Sequence, residues 1–383
     1  VAVSSGYQAS MMAPTEILAL QHYATIKECI DLAGLNIKAE VLTGSTKAKE
    51  RQEILRKLKD GELDIIVGTH ALIEDNVEFK NLGLVVTDEQ HRFGVRQRAK
   101  LSNKGNAPHI LVMTATPIPR TLALMLYGDL DISLIDEMPP GRQKVITYVI
   151  SEKERAYDFI KKHLDSGRQA YIIAPLVEES ENLDLDSATD LYEELKSSYF
   201  SGYSLGLLHG KMTSGEKEEV INKFYEGKIS ALVSTTVVEV GVNVPNATVM
   251  LVLNAERFGL AQLHQLRGRV GRGRYQSYCI LVNESKSKKS RDRMNILKRT
   301  NNGFIIAEED MRIRGPGDFF GVRQHGLSKF DIQNIVNDVE TLQQVRLLSK
   351  KIMKENPGLT GPGYQNLKRE IANLFKDETI AFN

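Results

Sequence analysis

The strongest constraint on the fold is an alternation of short apolar runs with capped, helical stretches from residue 1 to about residue 284. Runs this short, each ending at a polar or Gly-containing loop, read as buried strands in strand-helix-strand units, which is the pattern of a parallel sheet. In the first half they are residues 9–13, 38–42, 64–68, 83–87 and 110–114. One helix is predicted to start after Thr15 as N-cap and stop at Gly34; another starts after Thr46, runs through Arg56 and Leu58, and stops at Gly61. Residues 136–144, Asp-Glu-Met-Pro-Pro-Gly-Arg-Gln-Lys, break every period and read as a linker. A second set of strands follows at residues 145–150, 169–174, 204–208, 231–234, 249–253 and 277–282, with a helix after Thr213 whose Thr213 and Glu216 form a capping box. The expected fold class is therefore α/β, with parallel-sheet lobes at 1–135 and 145–284 and a mostly helical region at 285–383. No long internal repeat stands out, which leaves open whether the two α/β halves share a fold.

Composition narrows the functional class. Hydrophobic residues make up 42% and charged residues 26%, and no apolar run approaches the roughly 20 residues that span a bilayer. Two cysteines, Cys29 and Cys279, both in apolar stretches, offer neither a disulfide framework nor a metal site. A net charge of +1 means that any nucleic-acid contact must come from local patches. The opening residues, Val-Ala-Val-Ser-Ser-Gly-Tyr-Gln, have no basic n-region and no initiator Met, so they are expected to be the cut end of something longer.

Three segments carry chemistry. Residues 262–273, Gln-Leu-His-Gln-Leu-Arg-Gly-Arg-Val-Gly-Arg-Gly, place Arg269 and Arg272 beside Gly268 and Gly271. Two rigid five-donor forks, with glycines that let a phosphate approach, make a phosphate clamp. The alternative, a solvated basic helix end, is disfavoured because Gly costs roughly 1 kcal/mol in a helix interior. The apolar run ending at Thr87 delivers Asp88 and Glu89, hard ligands suited to a magnesium-nucleotide site. Thr114 and Thr116 follow the next strand, with hydroxyls that can hydrogen-bond the acidic pair.

These segments, with Ala-Pro-Thr-Glu at 13–16, Thr-Gly-Ser at 43–45, Gly-Thr-His at 68–70 and the Thr235 segment, resemble the ordered motifs of superfamily 2 helicases and translocases. Asp-Glu-Gln-His-Arg-Phe-Gly-Val at 88–95, Thr-Pro-Ile-Pro-Arg-Thr-Leu-Ala at 116–123, Tyr-Gly-Asp-Leu-Asp at 127–131 and Arg-Gly-Pro-Gly-Asp-Phe-Phe-Gly at 314–321 resemble the RecG family of bacterial branched-DNA translocases. The resemblance implies two RecA-like lobes, with Asp88 holding magnesium, Glu89 as base, and Gln265, Arg269 and Arg272 sensing the γ-phosphate. Gly241 and Asn243 would meet nucleotide across the cleft. His91, Thr114, Thr116 and Arg323 would couple hydrolysis to motion, Arg323 from the Gly-rich loop at 315–326, although His91 also suits a structural hydrogen bond. Thr15, Thr43, Gly44, Ser45, Thr69, Thr235 and Thr236 would contact the backbone of the tracked strand. The basic segment from Lys286 to Arg299 reads equally as a phosphate contact or a solvated face. Phe319 and Phe320 are expected to pack in a core.

The same resemblance implies ATP and magnesium as cofactors of the intact protein, with no structural metal. Branched or forked DNA is the implied partner, single-stranded-DNA-binding protein a further one, with no membrane partner, a monomeric state and a cytoplasmic location. One departure matters. The phosphate-binding loop Gly-x-x-x-x-Gly-Lys-Ser/Thr, which in the family lies just before residue 1, occurs nowhere in the sequence. Hence this chain alone is expected not to hydrolyse ATP, and the first lobe, truncated at its N-terminus, to be the less ordered half. The family's amino-terminal wedge domain is also absent, so specific recognition of forks or four-way junctions is expected to be lost. Rival readings are the motor of a transcription-repair coupling translocase and a non-catalytic nucleic-acid-binding module.

Overall fold

In the computed structural model, residues 1–89, 100–101, 103–115, 117, 131–139, 142–174, 181–235, 244–314 and 339–374 are described. The first lobe runs β1 (Gln8–Met12), α1 (Glu16–Leu32), β2 (Ala39–Leu42), α2 (Ala48–Asp60), β3 (Ile65–Gly68), β4 (Leu82–Thr87) and β5 (His109–Val112). Its strands are parallel in the order β2-β3-β1-β4-β5, with Met12 opposite Gly68 on one side and Thr87 on the other. Helices must cover both faces of such a sheet, which is why its strands are nearly all apolar. Leu42, Ile66 and Val85 bury one side against Ile54 and Leu58 of α2, while Ala13, Ala19 and Val67 bury the other. Thr15 caps α1 by accepting from the Leu18 amide. The second helix starts at Ala48 behind Lys47, not directly after Thr46, because the Thr46 hydroxyl is taken by the Thr43 amide at 2.9 Å. Cys29, expected in an apolar setting, is exposed on α1, whereas Cys279 is buried.

The second lobe runs β6 (Ile146–Ile150), α3 (Lys153–Asp165), β7 (Gln169–Ile173), α4 (Glu181–Ser197), β8 (Leu205–Leu208), α5 (Ser214–Tyr225), β9 (Ala231–Ser234), β10 (Ala247–Val252), α6 (Leu260–Arg267), β11 (Tyr278–Val282) and α7 (Lys288–Arg299). Its parallel order is β6-β11-β10-β7-β9-β8. Every residue of β7, β9 and β10 is buried, as expected for central strands of a doubly covered sheet. The Thr213–Glu216 capping box forms as predicted. Contacts gather residues 117–137 and 302–383 into a unit of their own. There α8 (Gly303–Arg314) buries Ile306, Ala307 and Met311, and α9 (Val339–Glu355) and α10 (Gln365–Leu374) follow. Leu367 and Ile371 lie on α10 and are exposed.

The two lobes prove to be copies of one design, which the sequence did not announce. Residues 42–69 align with 208–235 without a gap, and glycines in the left-handed region, Gly61 (φ 75) and Gly227 (φ 76), end the helix in each. At the start of the central strand, Gln8 Nε2 donates to the carbonyls of Leu58 and Leu63 at 2.9 and 2.8 Å. In the second lobe Gln169 Nε2 donates to Phe224 and, at 2.8 Å, to Ile229. Asn81 Nδ2 donates to Gly6 and Asn246 Nδ2 to Gly167, each glycine two residues before its Gln. Each Gln thus bonds one helix-end carbonyl, Leu58 or Phe224, that also accepts from the following glycine amide, and one loop carbonyl, Leu63 or Ile229, which left unpaired and buried would cost about 1–3 kcal/mol. The sheets differ at one edge. In the second lobe β11 is flanked by β6 and buried along Cys279–Val282, whereas β5 has a described strand on one side only and exposes Ile110 and Leu111.

Candidate nucleotide and nucleic-acid site

All five strands of the first lobe deliver a singled-out residue at their carboxyl ends, the edge at which open α/β sheets bind ligands. Asp88 leaves β4 with its amide donating to the Met12 carbonyl at 2.9 Å. Its carboxylate accepts from the Glu89 amide at 2.9 Å and pairs with His22 Nε2 of α1 at 2.8 Å. Glu89 adopts φ 48, a left-handed conformation that costs a side chain with a Cβ roughly 1–2 kcal/mol. Its Oε2 accepts from the Ala115 amide at 3.2 Å, so β4 and β5 are joined at the acidic pair. The sequence reading placed this link on the hydroxyls of Thr114 and Thr116. The Ala115 main chain between them supplies one such link, and Thr116 lies outside the described residues.

Asp88 and Glu89 suit magnesium carried by a nucleotide, which needs only one or two protein carboxylates beside phosphate oxygens. Among the described residues no group of three or more His, Cys, Asp or Glu could hold a metal by itself.

The polar loops after β1, β2 and β3 lie along the same edge. Thr43 is buried, and its hydroxyl donates to Glu16 Oε1 at 2.8 Å; Ser45 Oγ makes a short hydrogen bond to the same oxygen. Those hydroxyls, predicted to face a nucleic-acid backbone, are turned to a carboxylate, leaving Gly44 exposed between them. Thr69 is half-buried after β3, its amide donating to the Leu42 carbonyl at 3.3 Å. Thr235 holds the matching place after β9, its amide donating to Leu208 at 3.3 Å. His91, Thr236, Gly241, Asn243, Arg323, Phe319 and Phe320 lie outside the described residues.

The arginine cluster is the C-terminal end of α6 followed by a turn, so the helix-end geometry set aside from the sequence is the one adopted. No glycine sits inside the helix: Gly268 is its C-cap, and Gly271 turns the chain at φ 77. Packing also constrains two of the cluster's glycines. A Cβ on Gly271 would meet Val145 Cγ2 at 2.8 Å, and one on Gly273 would meet the Pro245 carbonyl oxygen at 2.2 Å. Long-range packing, invisible to local spacing, demands them.

The arginines divide by environment. Arg267 is 3% exposed and donates through Nη1 to Leu297 and Thr300 carbonyls at 2.8 and 2.9 Å, and through Nη2 to His264 Nδ1 at 2.9 Å. It closes the C-terminal end of α7. Burial, then the neighbouring Arg267 and Arg142, pushes the His264 pKa down to about 4, which fixes its ring as a neutral acceptor. Arg269 is buried, while Arg272 keeps an exposed surface and donates Nε to Gly268 at 3.1 Å. Desolvation of the Arg272 guanidinium, then the charges of Arg269 and Arg142, lower its pKa to about 10, so it is still a cation at neutral pH. The basic segment after Ser285 is resolved as α7, which buries Met294 and Leu297 and leaves Lys288, Lys289, Arg291, Lys298 and Arg299 exposed; Arg293 turns onto the Glu256 and Phe258 carbonyls.

The sequence reading missed His22, Glu16 and Arg267. His22 lies seven residues, two helical turns, after Thr15, a spacing that places both on one side of α1. The Arg267 bonds to Leu297 and Thr300 had no such signal, since those carbonyls lie about thirty residues away.

Comparison with known proteins agrees with this geometry. Residues 2–125 match the DEAD/DEAH box helicase family, 152–274 the helicase conserved C-terminal domain, and 300–382 the C-terminal part of domain 3 of ATP-dependent DNA helicase RecG. The chain is 54% identical over 377 residues to the ATP-dependent DNA helicase RecG of Synechocystis sp., covering 98% of this chain and 45% of that one. It is 50% identical over 372 residues to that of Bacillus subtilis, covering 97% and 54%. The chain thus spans about half the length of the relatives it matches. A solved structure of RecG bound to a three-way DNA junction superposes with a TM-score of 0.71 at 45% identity, covering 88% of this chain and 44% of that one. With this identity along nearly its whole length and this pair of lobes, the chain belongs to the RecG family of superfamily 2 helicases.

Proposed function

We propose that the chain is the motor portion of an ATP-dependent DNA helicase that remodels replication forks and Holliday-type junctions in recombination and repair. The observation that carries this reading is the join between β4 and β5, where strained Glu89 meets the Ala115 amide beside Asp88, on the same sheet edge as Thr15, Gly44 and Thr69. Hydrolytic residues and strand contacts on one edge let closure on nucleotide move a grip on DNA. The match at 300–382 favours this reading over a transcription-repair coupling motor.

ATP with magnesium, when bound, supplies the γ-phosphoryl group and the cation that neutralises developing charge. Asp88 is the residue that would hold magnesium, and His22 fixes the rotamer of its carboxylate. Glu89 orients water and accepts its proton. Gln265, Arg269 and Arg272 would sense the γ-phosphate, Gly241 and Asn243 would contact nucleotide, and Arg267 holds α6 in place. Thr15, Thr43, Gly44, Ser45, Thr69, Thr235 and Thr236 are the positions that would contact the strand's backbone, and His91, Thr114, Thr116 and Arg323 would couple the two. The location is the bacterial cytoplasm, and single-stranded-DNA-binding protein is a further partner.

The phosphate-binding loop is not among these 383 residues, so the chain by itself does not turn over ATP. The open side of β5, where the second lobe carries β6 beside β11, is the place for the strand that would bring it. The test joins the phosphate-binding segment of the Bacillus subtilis relative ahead of residue 1. DNA-stimulated ATP turnover is expected in the joined protein, absent from the 383-residue chain, and lost in Asp88→Asn and Glu89→Gln. Turnover by the 383-residue chain that these substitutions remove would refute the inactivity, and turnover of the joined protein indifferent to Glu89→Gln would refute the site.

A further inference from the structure

Helix α1 touches both chemistries of the first lobe. Its first residue, Glu16, accepts through Oε1 from the Thr43 hydroxyl at 2.8 Å and makes a short hydrogen bond with Ser45 Oγ, so it holds the loop after β2. Thr15, its N-cap, accepts from the Leu18 amide at 3.4 Å. Six residues beyond Glu16, about 9 Å along the helix, His22 Nε2 meets Asp88 Oδ2 at 2.8 Å. The other Asp88 oxygen accepts from the Glu89 amide, and the Glu89 carboxylate accepts from Ala115. Hydrogen bonds and one helix thus run without a break from the loop at 43–45 to the acidic pair.

We propose that His22 is a positioning residue through which contact of a nucleic-acid strand with the N-terminal turn of α1 sets the Asp88 carboxylate, so that strand and nucleotide bind cooperatively by way of this helix. This rests on the motor reading above, in which Thr15 and the loop at 43–45 meet the strand and Asp88 serves the nucleotide. Of the two bonds that fix the carboxylate, one comes from the next residue of its own chain and cannot report on anything distant. The other comes from α1. That helix is lightly anchored: of its 17 residues only Ala19 and Ile30 are buried, and Leu18, Tyr23 and Ile26 are partly so. A helix with so few buried apolar contacts shifts as a body at low cost.

A bond that merely stabilises the fold fits these observations less well. The His22 and Asp88 side chains are 28% and 19% exposed, and a pair open to solvent adds little to stability. Nor does the scaffold require a polar link there. In the second lobe the position of Asp88 is held by Leu253, which joins an apolar cluster with Ala188, Leu191 and Leu195 of α4. The polar tie to the helix is found in the lobe that carries the acidic pair.

The experiment uses the joined protein of the preceding test. It measures binding of a fluorescent non-hydrolysable ATP analogue with magnesium, in the absence and presence of a saturating single-stranded oligonucleotide. The ratio of the two dissociation constants is the coupling, and linkage demands the same ratio when the oligonucleotide is titrated with and without the analogue. Wild type should give about fivefold or more, and His22→Ala should bring the ratio below about twofold. His22→Gln, whose amide supplies a donor in place of Nε2, should restore most of it. Glu16→Leu cuts the tie at the other end and should lower the ratio as His22→Ala does, with the double variant no lower, since both break one path. Thr25→Ala, on the exposed side of α1, should match wild type. A wild-type ratio in His22→Ala or in Glu16→Leu overturns the assignment and leaves the motor reading standing. A loss in His22→Gln as large as in His22→Ala overturns the role of the bond to Asp88. Nucleotide binding by the unsubstituted protein that ignores the oligonucleotide overturns the assignment and the motor reading together.

Discussion

Arg267→Met tests whether the arginine cluster is partly architecture. The buried guanidinium makes three hydrogen bonds shorter than 3 Å, two of them to the Leu297 and Thr300 carbonyls at the C-terminal end of α7. Hydrogen bonds from a charged donor contribute about 1.5–3 kcal/mol each, and an orphaned buried carbonyl costs about 1–3 kcal/mol. A cation at a helix C-terminus adds up to about 2 kcal/mol when partly buried. Met restores apolar volume and removes the cost of desolvating the charge, which offsets part of this. The net loss should be about 3–5 kcal/mol, on the order of 10 °C in the melting of the second lobe. Arg272→Ala, on an exposed side chain with one bond to Gly268, should cost about 1 kcal/mol or less. Urea unfolding followed by circular dichroism, with hydrogen exchange of β10 as the local probe, separates them. The reasoning fails if Arg267→Met unfolds within 1 kcal/mol of wild type, or if the two substitutions cost the same.

Two further outcomes follow from the same corner of the molecule. Gly273→Ala should destabilise the second lobe by roughly 1–3 kcal/mol or more, because its Cβ would lie 2.2 Å from a main-chain oxygen; an unfolding curve matching wild type would refute that packing demand. His264, with a folded pKa near 4 against an unfolded 6.5, binds fewer protons folded than unfolded between those values. Stability from this ring is therefore complete above pH 6.5 and lost as pH falls toward 4, at most roughly 3 kcal/mol. His264→Gln should flatten that part of the pH profile, and an unchanged slope between pH 6.5 and 4 would contradict the assignment.

How much was legible depended on where the controlling contacts lie. The strands were readable within a residue or two because burial on both faces writes itself into a short apolar run, as at residues 231–234. The capping box at Thr213 was readable because both partners are three residues apart. Helix α3 was overlooked although Ala156, Tyr157, Ile160 and Leu164 mark a buried face; its N-cap is Glu152, which makes no side-chain cap bond. The packing demand for glycine at 271 and 273 was not legible because Val145 and Pro245, which a side chain there would meet, are distant in sequence. The hydrogen bonds of Thr43 and Ser45 to Glu16 were not legible because Glu16 lies on α1, distant in sequence.

The duplication supplies an internal control for the acidic pair. Asp88 follows β4 as Leu253 follows β10, and their amides dock on the matching central-strand carbonyls of Met12 and Ile173 at 2.9 and 3.2 Å. The next residue is left-handed in both lobes: Glu89 at φ 48 and Asn254 at φ 45. That conformation is therefore a property of the shared scaffold and not of the carboxylate. In the second lobe the position holds Asn, one of the few side chains that tolerate it; in the first it holds Glu, which does not. Stability alone would place Asn or Gly at both. A strained residue persists where its chemistry is needed, and the contact it makes, Oε2 on the Ala115 amide, aims its carboxylate along the edge that Asp88 shares. The second lobe thus records what this turn holds without an acidic pair beside it, and the difference between the two lobes is the observation that favours the role proposed for Glu89.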